Sequence, residues 1–348
     1  MSDIAARLIN DWQQRFPLCS EPLKALGEAC GVDALRVQAE LKKLHLAGSL
    51  GRIGGIWGSG AGGAALLCAF AVPPQRLEAV AALVSAHPGV NHNYEREHAY
   101  NLWFVITGGD ATQVEAGVSL LEQQSGLPAL RLPMQRAYRI NLGFDLQRPH
   151  GRDCAARGRG LESARDPQGA AHAVQSEDRA LAALVEDGLP LIQRPYAAWA
   201  QALACSEAQI FAKIEQWLAQ GTLRRFGVVV RHHELGFAAN AMCVFNVPDA
   251  EVDAHAALLA QQEGVTLCYR RARAGDWPYN LYCMLHGRER GEVLAWLEQA
   301  RAAAGLEQVE QTVLFSRRRF KQCGARYFRH DPSMPLALPT SPQELSHA

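Results

Sequence analysis

The 348-residue sequence lacks a net charge, a paired-cysteine motif and any long apolar run. Its 35 basic residues are balanced by 35 acidic ones, so the excess of Lys and Arg typical of proteins that bind nucleic-acid phosphates is missing. No run approaches the roughly 18 apolar residues that a membrane-spanning helix needs. The nine Cys are scattered without a C-x-x-C pair, which argues against a zinc site or disulfide framework and favours reduced thiols in a cytoplasm.

The most informative feature of the sequence is a tandem duplication whose two copies have diverged. The matching stretches are GSLGRIGGI at 48–56 with GTLRRFGVV at 221–229, ALLCAFAVP at 65–73 with AMCVFNVP at 241–248, and YNLWFVITG at 100–108 with YNLYCMLHG at 279–287. Their order is kept, which is the signature of repeated structural units. The turn between the two strands is longer in the second hairpin, where it contains Gly275, Asp276, Trp277 and Pro278.

Each copy is predicted to consist of a winged helix followed by a ferredoxin-like domain. In copy 1, EPLKALGEACGVDALRVQAELKKLHLAG has the pattern of two helices separated by a turn at Gly31, and LGRIGGIWG follows as a β-rich wing. The remainder has the pattern strand, helix, strand, strand, helix, strand. The predicted fold class is therefore α+β, a duplicated winged helix-turn-helix with a ferredoxin-like βαββαβ domain.

The predicted boundaries follow from this pattern and from local composition. Residues 147–175 have little apolar content and no period, which is typical of a flexible linker, and the Pro-rich tail is expected to be disordered. The predicted segments are a winged helix at 1–60, a ferredoxin-like domain at 61–146, the linker at 147–175, a winged helix at 176–233, a ferredoxin-like domain at 234–330 and the tail at 331–348.

A winged helix followed by a ferredoxin-like sheet resembles the Lrp/AsnC family of bacterial regulators, which implies DNA as a partner. Helices that bind DNA need Arg, Lys, Asn or Gln for phosphates and base edges. The candidate recognition helix SEAQIFAKIEQWLAQ, residues 206–220, has one Lys against two Glu. The corresponding helix of copy 1 differs from it, so the joined copies could not read a palindrome symmetrically. Transcriptional regulation is therefore kept as the alternative hypothesis.

The most polar hairpin is GVNHNYEREHAYNLWF at 89–104. Along a strand, His92, Tyr94 and Arg96 share one face, while the residues between them lie on the other. The equivalent face of copy 2 carries Leu267, Tyr269 and Arg271. A His–Tyr–Arg face is costly to bury unless a charged group lies against it, so the sequence predicts a ligand-facing strand in copy 1.

Both hairpins, together with RRFGVVVRHHELGFAANAM at 224–242, resemble the sirohaem decarboxylases, which are Lrp-like enzymes of haem d1 synthesis and of the alternative haem pathway. Copy 1 is similar to the NirD type and copy 2 to the NirL type, over nearly everything except the linker and tail. The resemblance implies loss of CO2 from the acetates at C12 and C18 of sirohaem, giving 12,18-didecarboxysirohaem. It implies no cofactor beyond the iron of the substrate and no metal held by the protein.

Such a reaction leaves a carbanion-like carbon whose charge the macrocycle accepts, so the protein must bind carboxylates and supply a proton. Arg is suited to carboxylates because its fork can bind both oxygens. The predicted substrate-binding residues are Arg96, Arg225, Arg231, Arg270, Arg271, Tyr100 and Tyr279. The stretch RRRFKQ at 317–322 is interpreted as a solvated or substrate-steering basic edge.

The predicted catalytic residues are His232, His92, Tyr94 and Tyr269. His232 follows an apolar strand beside Arg231 and has no counterpart in copy 1, whereas His92 has none in copy 2. For His92 the alternatives are a general acid, a carboxylate partner, an axial ligand to the substrate iron, or a structural role. Both tyrosines can also be core aromatics. The complementary losses are compatible with one composite site or with two pockets of which one is catalytic.

The expected partners are sirohaem and related subunits of the NirG and NirH types, with the two copies forming an internal pseudo-dimer. A non-catalytic tetrapyrrole sensor is a third hypothesis, because it would bind sirohaem without releasing CO2. The segment MSDIAARLINDWQQRF is mixed and charged, unlike a signal peptide. Together with the lack of an apolar span, this predicts a cytoplasmic protein without membrane contact.

Overall fold

The computed structural model describes residues 2–58, 60–140, 171–230 and 239–328. Copy 1 begins with α1 (Asp3–Asn10), α2 (Pro22–Cys30), α3 (Ala34–Leu46) and β1 (Leu50–Trp57). Gly31 ends α2 in the left-handed conformation, with φ of 71°, which costs glycine little. The Asp33 side chain then caps α3 by accepting a hydrogen bond from the Arg36 amide at 2.7 Å. The predicted turn at Gly31 is therefore confirmed.

The rest of copy 1 is a βαββαβ unit made of β2 (Ala64–Phe70), α4 (Leu77–Ala86), β3 (Val90–Arg96), β4 (Leu102–Gly108), α5 (Ala111–Ser125), β5 (Leu130–Leu132) and β6 (Met134–Ile140). Copy 2 repeats the order with α6 (Arg179–Asp187), α7 (Pro195–Ala202), α8 (Glu207–Ala219), β7 (Leu223–Val230), β8 (Ala239–Phe245), α9 (Val252–Leu259), β9 (Val265–Arg271), β10 (Leu281–Gly287), α10 (Arg290–Ala304) and β11 (Gln311–Gln322). The predicted fold class and the duplication are confirmed.

The two winged-helix regions form one unit rather than two. β1 and β7 pair antiparallel over most of their length. Helices of both copies pack on this pair in a single apolar core, which includes Leu41 and Ile53 of copy 1 and Trp217 and Phe226 of copy 2. Each wing supplies the hydrogen-bonding neighbour that the other would lack as an exposed edge strand.

The two ferredoxin-like units also share one sheet, with the strand order β5-β2-β4-β3-β11-β8-β10-β9-β6. The last strand of each copy crosses to the other copy. β6 pairs with β9, while β11 pairs first with β8 and then with β3. Only Pro133 separates β5 from β6, so the two outer strands are one stretch of chain and the sheet closes on itself. The internal pseudo-dimer is therefore built by exchange of terminal strands.

The closed sheet has an outer face covered by helices and an inner face between its two halves. On the outer face, Phe104 lies in the core beneath α4 and α5, and Phe245 lies in the core beneath α9 and α10. The strand residues that alternate with these point to the inner face. Side chains from both halves pack together there, among them Trp103, Trp277 and Tyr282. None of the helices in the described ranges is long and apolar enough to cross a membrane.

The longer turn of the second hairpin places an aromatic residue between the two hairpins. Trp277 is 2% exposed, and its indole nitrogen donates to the Tyr282 hydroxyl at 2.7 Å. Its ring lies edge-on to Tyr100 and Tyr279, with centroids 5.9 and 4.9 Å away. The Tyr100 hydroxyl donates to Asp276 of the same turn at 2.8 Å. The extra residues of copy 2 therefore join the two hairpins at their turns.

Most of the predicted linker and the whole predicted tail, residues 147–170 and 331–348, lie outside the described residues. Residues 171–175 are described, and they pack against the wings. Val174 is buried, its amide donates to the Ala61 carbonyl at 2.6 Å, and the Thr222 hydroxyl donates to the His172 carbonyl at 2.8 Å. The packed part of copy 2 therefore includes residues 171–175, which the sequence pattern assigned to the linker.

Residues 323–328 leave the second ferredoxin-like domain and join the winged-helix unit. Phe328 is buried, and its ring centroid lies 4.9 Å from that of Trp57. The amides of Tyr327 and Phe328 donate to the Glu186 carboxylate at 2.7 and 3.1 Å. The end of the predicted 234–330 domain is therefore packed with the winged helices.

Replacing Glu186 with Gln is expected to reduce the pH dependence of stability. Burial raises the pKa of this carboxyl to about 7, from 4.5 in an unfolded chain. The folded state therefore binds the proton more tightly, so this group's contribution to stability is largest below pH 4.5 and declines as the pH rises through 7. Urea-unfolding midpoints at about pH 5 and about pH 8 should differ less in Glu186→Gln than in the wild type. Equal differences in both proteins would contradict this prediction.

Candidate functional site

The candidate site is the inner face of β3. Tyr94 pairs with Trp103 of β4, which belongs to the interior between the two halves. His92 and Arg96 lie two residues to either side of Tyr94, on the same face. Asn93 has the opposite orientation, since its side-chain amide donates to a backbone carbonyl of α4 at 3.0 Å. The structure therefore has the alternation of faces that the sequence predicts for this strand.

His92 is held as a neutral imidazole. Its Nδ1 lies 2.8 Å from the side-chain oxygen of Asn91, which can only accept, so Nδ1 carries the hydrogen and Nε2 keeps its lone pair. Burial, helped by the charge of Arg96, lowers the pKa of His92 to about 4. The ring stacks on Tyr94 with centroids 6.2 Å apart. At neutral pH this imidazole can accept a hydrogen bond or ligate iron, but it is not a charged general acid.

Arg96 and Arg271, the arginines at equivalent positions of the two hairpins, hold the exchanged strands. Arg96 donates to the Leu314 carbonyl at 3.0 Å and to the Asn240 side-chain oxygen at 3.2 Å. Arg271 donates to the Leu132 carbonyl at 2.8 Å. Each guanidinium carbon also lies near the ring of the tyrosine two residues before it, at 5.6 and 5.4 Å from the centroid. These contacts give both arginines a structural role, and substrate binding by them stays a prediction.

A buried polar chain continues from Arg96 into copy 2. The side-chain nitrogen of Asn240 lies 2.9 Å from Nε2 of His286, and Nδ1 of His286 lies 2.8 Å from the Thr266 hydroxyl. Asn240 and His286 are both buried. The sequence pattern did not single out His286, although the alternation along β10 places it on the inner face with Met284.

The contact between Arg96 and Asn240 brings the start of β8 beside the inner face of β3. Arg231 and His232 lie in the preceding segment, outside the described residues. Described residues of copy 2 therefore contact the strand that carries His92, through Asn240.

The basic stretch at 317–322 divides between the two faces of the sheet. Arg318 lies on the helix-covered face, where it donates to Glu95 at 2.6 Å. Arg317 is exposed, with its guanidinium 3.8 Å from Glu95. Arg319 is the cross-strand neighbour of Tyr94 and therefore lies on the inner face. One of the three arginines thus belongs to the candidate site, which the sequence pattern did not show.

The counterpart face of β9 is less polar than the His92 face. Leu267 stands in the place of His92, and Ala137 is the cross-strand neighbour of Tyr269. Burial raises the pKa of Tyr269 to about 12, although the charge of the nearby Arg271 opposes this rise. The Tyr269 hydroxyl therefore keeps its proton, and Ala137 occupies the position that Arg319 occupies beside Tyr94. The two faces are not chemically equivalent.

Arg270, Arg225, Tyr100 and Tyr279 lie outside β3, on other strands or at the turns of the hairpins. Arg270 is on the helix-covered face of β9, near two aspartates of the α9 region at 3.5 and 3.7 Å. Arg225 is in β7 and donates to a backbone carbonyl of the winged-helix unit at 2.8 Å. Tyr100 and Tyr279 lie at the turns of the hairpins, where an open groove of about 370 Å³ adjoins Tyr100. Substrate binding by these four residues stays a prediction.

The candidate recognition helix α8 has a surface poorly suited to DNA. Its one lysine, Lys213, is ion-paired with Asp178 at 3.0 Å. Glu207, in its first turn, accepts a hydrogen bond from Arg194 at 3.1 Å. Positive charge on this helix is therefore already balanced by the protein itself, which weakens contact with phosphates.

Two family models match the chain. Residues 61–139 and 234–321 match the AsnC-like ligand binding domain. Residues 178–224 match the siroheme decarboxylase NirDL-like HTH domain. These matches coincide with the two ferredoxin-like units and with the helices of the second winged-helix region.

Similar proteins extend the comparison to nearly the whole chain. The siroheme decarboxylase NirDL subunit of Paracoccus pantotrophus is 40% identical over 327 residues, covering 93% of this chain and 97% of that protein. The NirH subunit of the same organism is 40% identical over 149 residues, covering 43% of this chain and 93% of that protein. A crystal structure of the siroheme decarboxylase NirDL with an iron-uroporphyrin III analogue has a TM-score of 0.64 and 28% identity, covering 94% of both chains.

Proposed function

The chain belongs to the fused NirDL family of sirohaem decarboxylases, and we propose that it removes CO2 from the acetates at C12 and C18 of sirohaem to give 12,18-didecarboxysirohaem for haem d1 synthesis. The observation that carries this proposal is the inner face of β3, where His92, Tyr94 and Arg319 lie together. A substrate rich in carboxylates needs cations and hydrogen-bond donors, and this face supplies both. The enzyme is then a carboxy-lyase whose only metal is the iron of its substrate.

Each decarboxylation breaks the bond between the methylene carbon and the carboxylate carbon, and the electron pair passes into the conjugated ring. A proton must then reach the methylene carbon to make a methyl group. We assign neutral His92 to holding the substrate through Nε2, either at the iron or at a hydrogen-bond donor. We assign His232 to proton donation. Burial raises the pKa of Tyr94, so its protonated hydroxyl is suited to donate a hydrogen bond to a carboxylate.

We infer one composite site, with His92 and Tyr94 from copy 1 and Arg231 and His232 from copy 2. Two observations support this inference. The start of β8 touches the strand of His92 through Asn240, and the counterpart face has Leu267 and Ala137 where the His92 face has polar side chains.

The direct test is anaerobic incubation of the purified chain with sirohaem, followed by mass spectrometry of the tetrapyrrole. The expected product has lost two CO2, and the absorption spectrum changes with it. Recovery of bound but unchanged sirohaem from folded protein would favour the tetrapyrrole sensor. Salt-sensitive binding to DNA without any decarboxylation would favour the regulator.

We also propose that a NirH-type subunit is a partner of this chain. Paracoccus pantotrophus has both a NirDL relative and a NirH relative, and the NirH relative is 40% identical to this chain over 149 residues. Adding a purified NirH-type subunit should raise the decarboxylation rate. An unchanged rate and separate elution of the two proteins would argue against the partnership.

A further inference from the structure

We propose that Arg319 binds a carboxylate of the substrate and thereby makes the β3 face, rather than its counterpart on β9, the substrate-binding face. This inference rests on the decarboxylase function proposed above. Arg319 lies in the middle of the basic stretch 317–322. Three features of the structure distinguish it from the other basic residues there: the irregular pairing of β11, the side chains around Arg319, and the residue at the equivalent position of the other half.

The irregular pairing of β11 with β3 separates Arg319 from the basic residues around it. The register shifts between Ser316 and Arg318, and again between Arg319 and Lys321. As a result, Arg318 and Lys321 are both on the helix-covered face, where Lys321 donates to two backbone carbonyls at 2.7 and 3.0 Å. Arg319, between the two shifts, is left on the inner face beside Tyr94.

The neighbours of Arg319 suit a bound anion. Its guanidinium donates to the Gln322 side-chain oxygen at 3.1 Å, and Gln322 is the cross-strand neighbour of His92. Burial raises the pKa of Tyr94, and the positive charges of Arg96 and Arg319 oppose this rise. Arg319, Gln322, Tyr94 and His92 therefore form one half-buried to buried cluster with a cation, hydroxyl and amide donors and a neutral imidazole. A guanidinium in such a setting can bind both oxygens of a carboxylate.

The equivalent place on the other half has no such cluster. Ala137 is the cross-strand neighbour of Tyr269, and Ile140 is that of Leu267. A ligand with many carboxylates gains a cation on the β3 face and none at Ala137, so it should occupy the β3 face.

The test compares Arg319→Gln with Arg317→Gln, which removes the same charge from the same strand at an exposed position. The probe is iron-uroporphyrin III, with binding followed by its absorption spectrum. A charge-assisted hydrogen bond is worth about 1.5–3 kcal/mol, so Arg319→Gln should weaken binding roughly ten- to a hundred-fold. Arg317→Gln should change it less than about two-fold. Arg319→Lys should recover only part of the loss, because lysine cannot bind both oxygens.

Sirohaem kinetics provide the second measurement. Arg319→Gln should raise KM more than it lowers kcat, because the contact is made in the bound substrate as well as in the transition state. Matching affinities and KM values for Arg319→Gln and Arg317→Gln, in proteins with the same unfolding midpoint, would overturn the proposal. A failure of the proposed decarboxylase function would give a different result. The wild-type chain would then bind iron-uroporphyrin III, and Arg319→Gln would weaken that binding, but no CO2 would be released from sirohaem.

Discussion

Turnover of sirohaem is expected to fall roughly a hundred-fold or more when His92 is replaced by alanine. The imidazole is positioned by Asn91 and by its stack on Tyr94, and alanine removes the Nε2 lone pair that we assign to the substrate. His92→Gln keeps a polar side chain but no imidazole nitrogen, so it should remain impaired. The measurement is kcat by mass spectrometry of the product. A variant within about two-fold of the wild type would rule out this role.

His98→Ala is the matched control for His92→Ala. His98 lies in the same hairpin, but its ring stacks on Tyr100 at the turn, with centroids 6.2 Å apart. It is expected to change turnover by less than about two-fold.

The pH dependence follows from the pKa of about 4 for His92. Because the folded pKa lies below the unfolded value of 6.5, this group's contribution to stability is present above pH 6.5 and is lost as the pH falls towards 4. Titration of His92 should therefore cause no change in kcat/KM near pH 6.5. If the wild type showed such a change and His92→Ala did not, His92 would not be a neutral imidazole at neutral pH.

The double variant of His92→Ala and His232→Ala distinguishes one composite site from two pockets. Groups that act together in one turnover are strongly non-additive, so the double variant should lose little more activity than the worse single variant. Two independent pockets predict instead that each single variant keeps part of the turnover and that only the double variant abolishes it.

Stability is expected to fall by about 3 kcal/mol or more in Arg96→Ala. The guanidinium is buried and donates to the Leu314 carbonyl and to Asn240. Alanine leaves both acceptors without this donor inside the closed sheet and opens a cavity between strands of the two copies. The measurement is the urea-unfolding midpoint, which should drop even when no tetrapyrrole is present.

Arg271→Ala should be destabilising for the same reason, because Arg271 holds the Leu132 carbonyl in the other half. Arg317→Ala is the control, and its exposed side chain predicts a change within about 0.5 kcal/mol. If Arg96→Ala kept the wild-type midpoint and only raised KM, Arg96 would act as a substrate clamp rather than as the link between strands.

Much of the fold was predictable because it depends on short-range patterns. The two copies, the turn at Gly31 between the helices of copy 1, and the alternation along β3 all follow from residue type and spacing. The exchange of terminal strands was not predictable. The stretch ALRLPMQRAYRI, residues 129–140, has the pattern of one strand. It divides at Pro133 because proline has no N–H to donate to a neighbouring strand. The part after Pro133 pairs with β9 of copy 2.

Less of the candidate site was predictable, because face assignment on β11 depends on two irregularities in pairing. A simple alternation through 317–322 places Arg317 and Arg319 on the same face. The shifts near Ser316 and after Arg319 leave only Arg319 on the inner face. A bulge inserts an unpaired residue and reverses the alternation beyond it, and the three arginines look alike in the sequence.

The sequence by itself determined which side chains of β3 share a face, since the period of a strand is two, and that the two copies no longer carry the same groups. Only the tertiary structure decided what those side chains meet. Arg96 binds partners 144 and 218 residues away in the chain. Such contacts depend on how exchanged strands align in a closed sheet, and this alignment is set by packing of the whole sheet rather than by any local stretch of sequence.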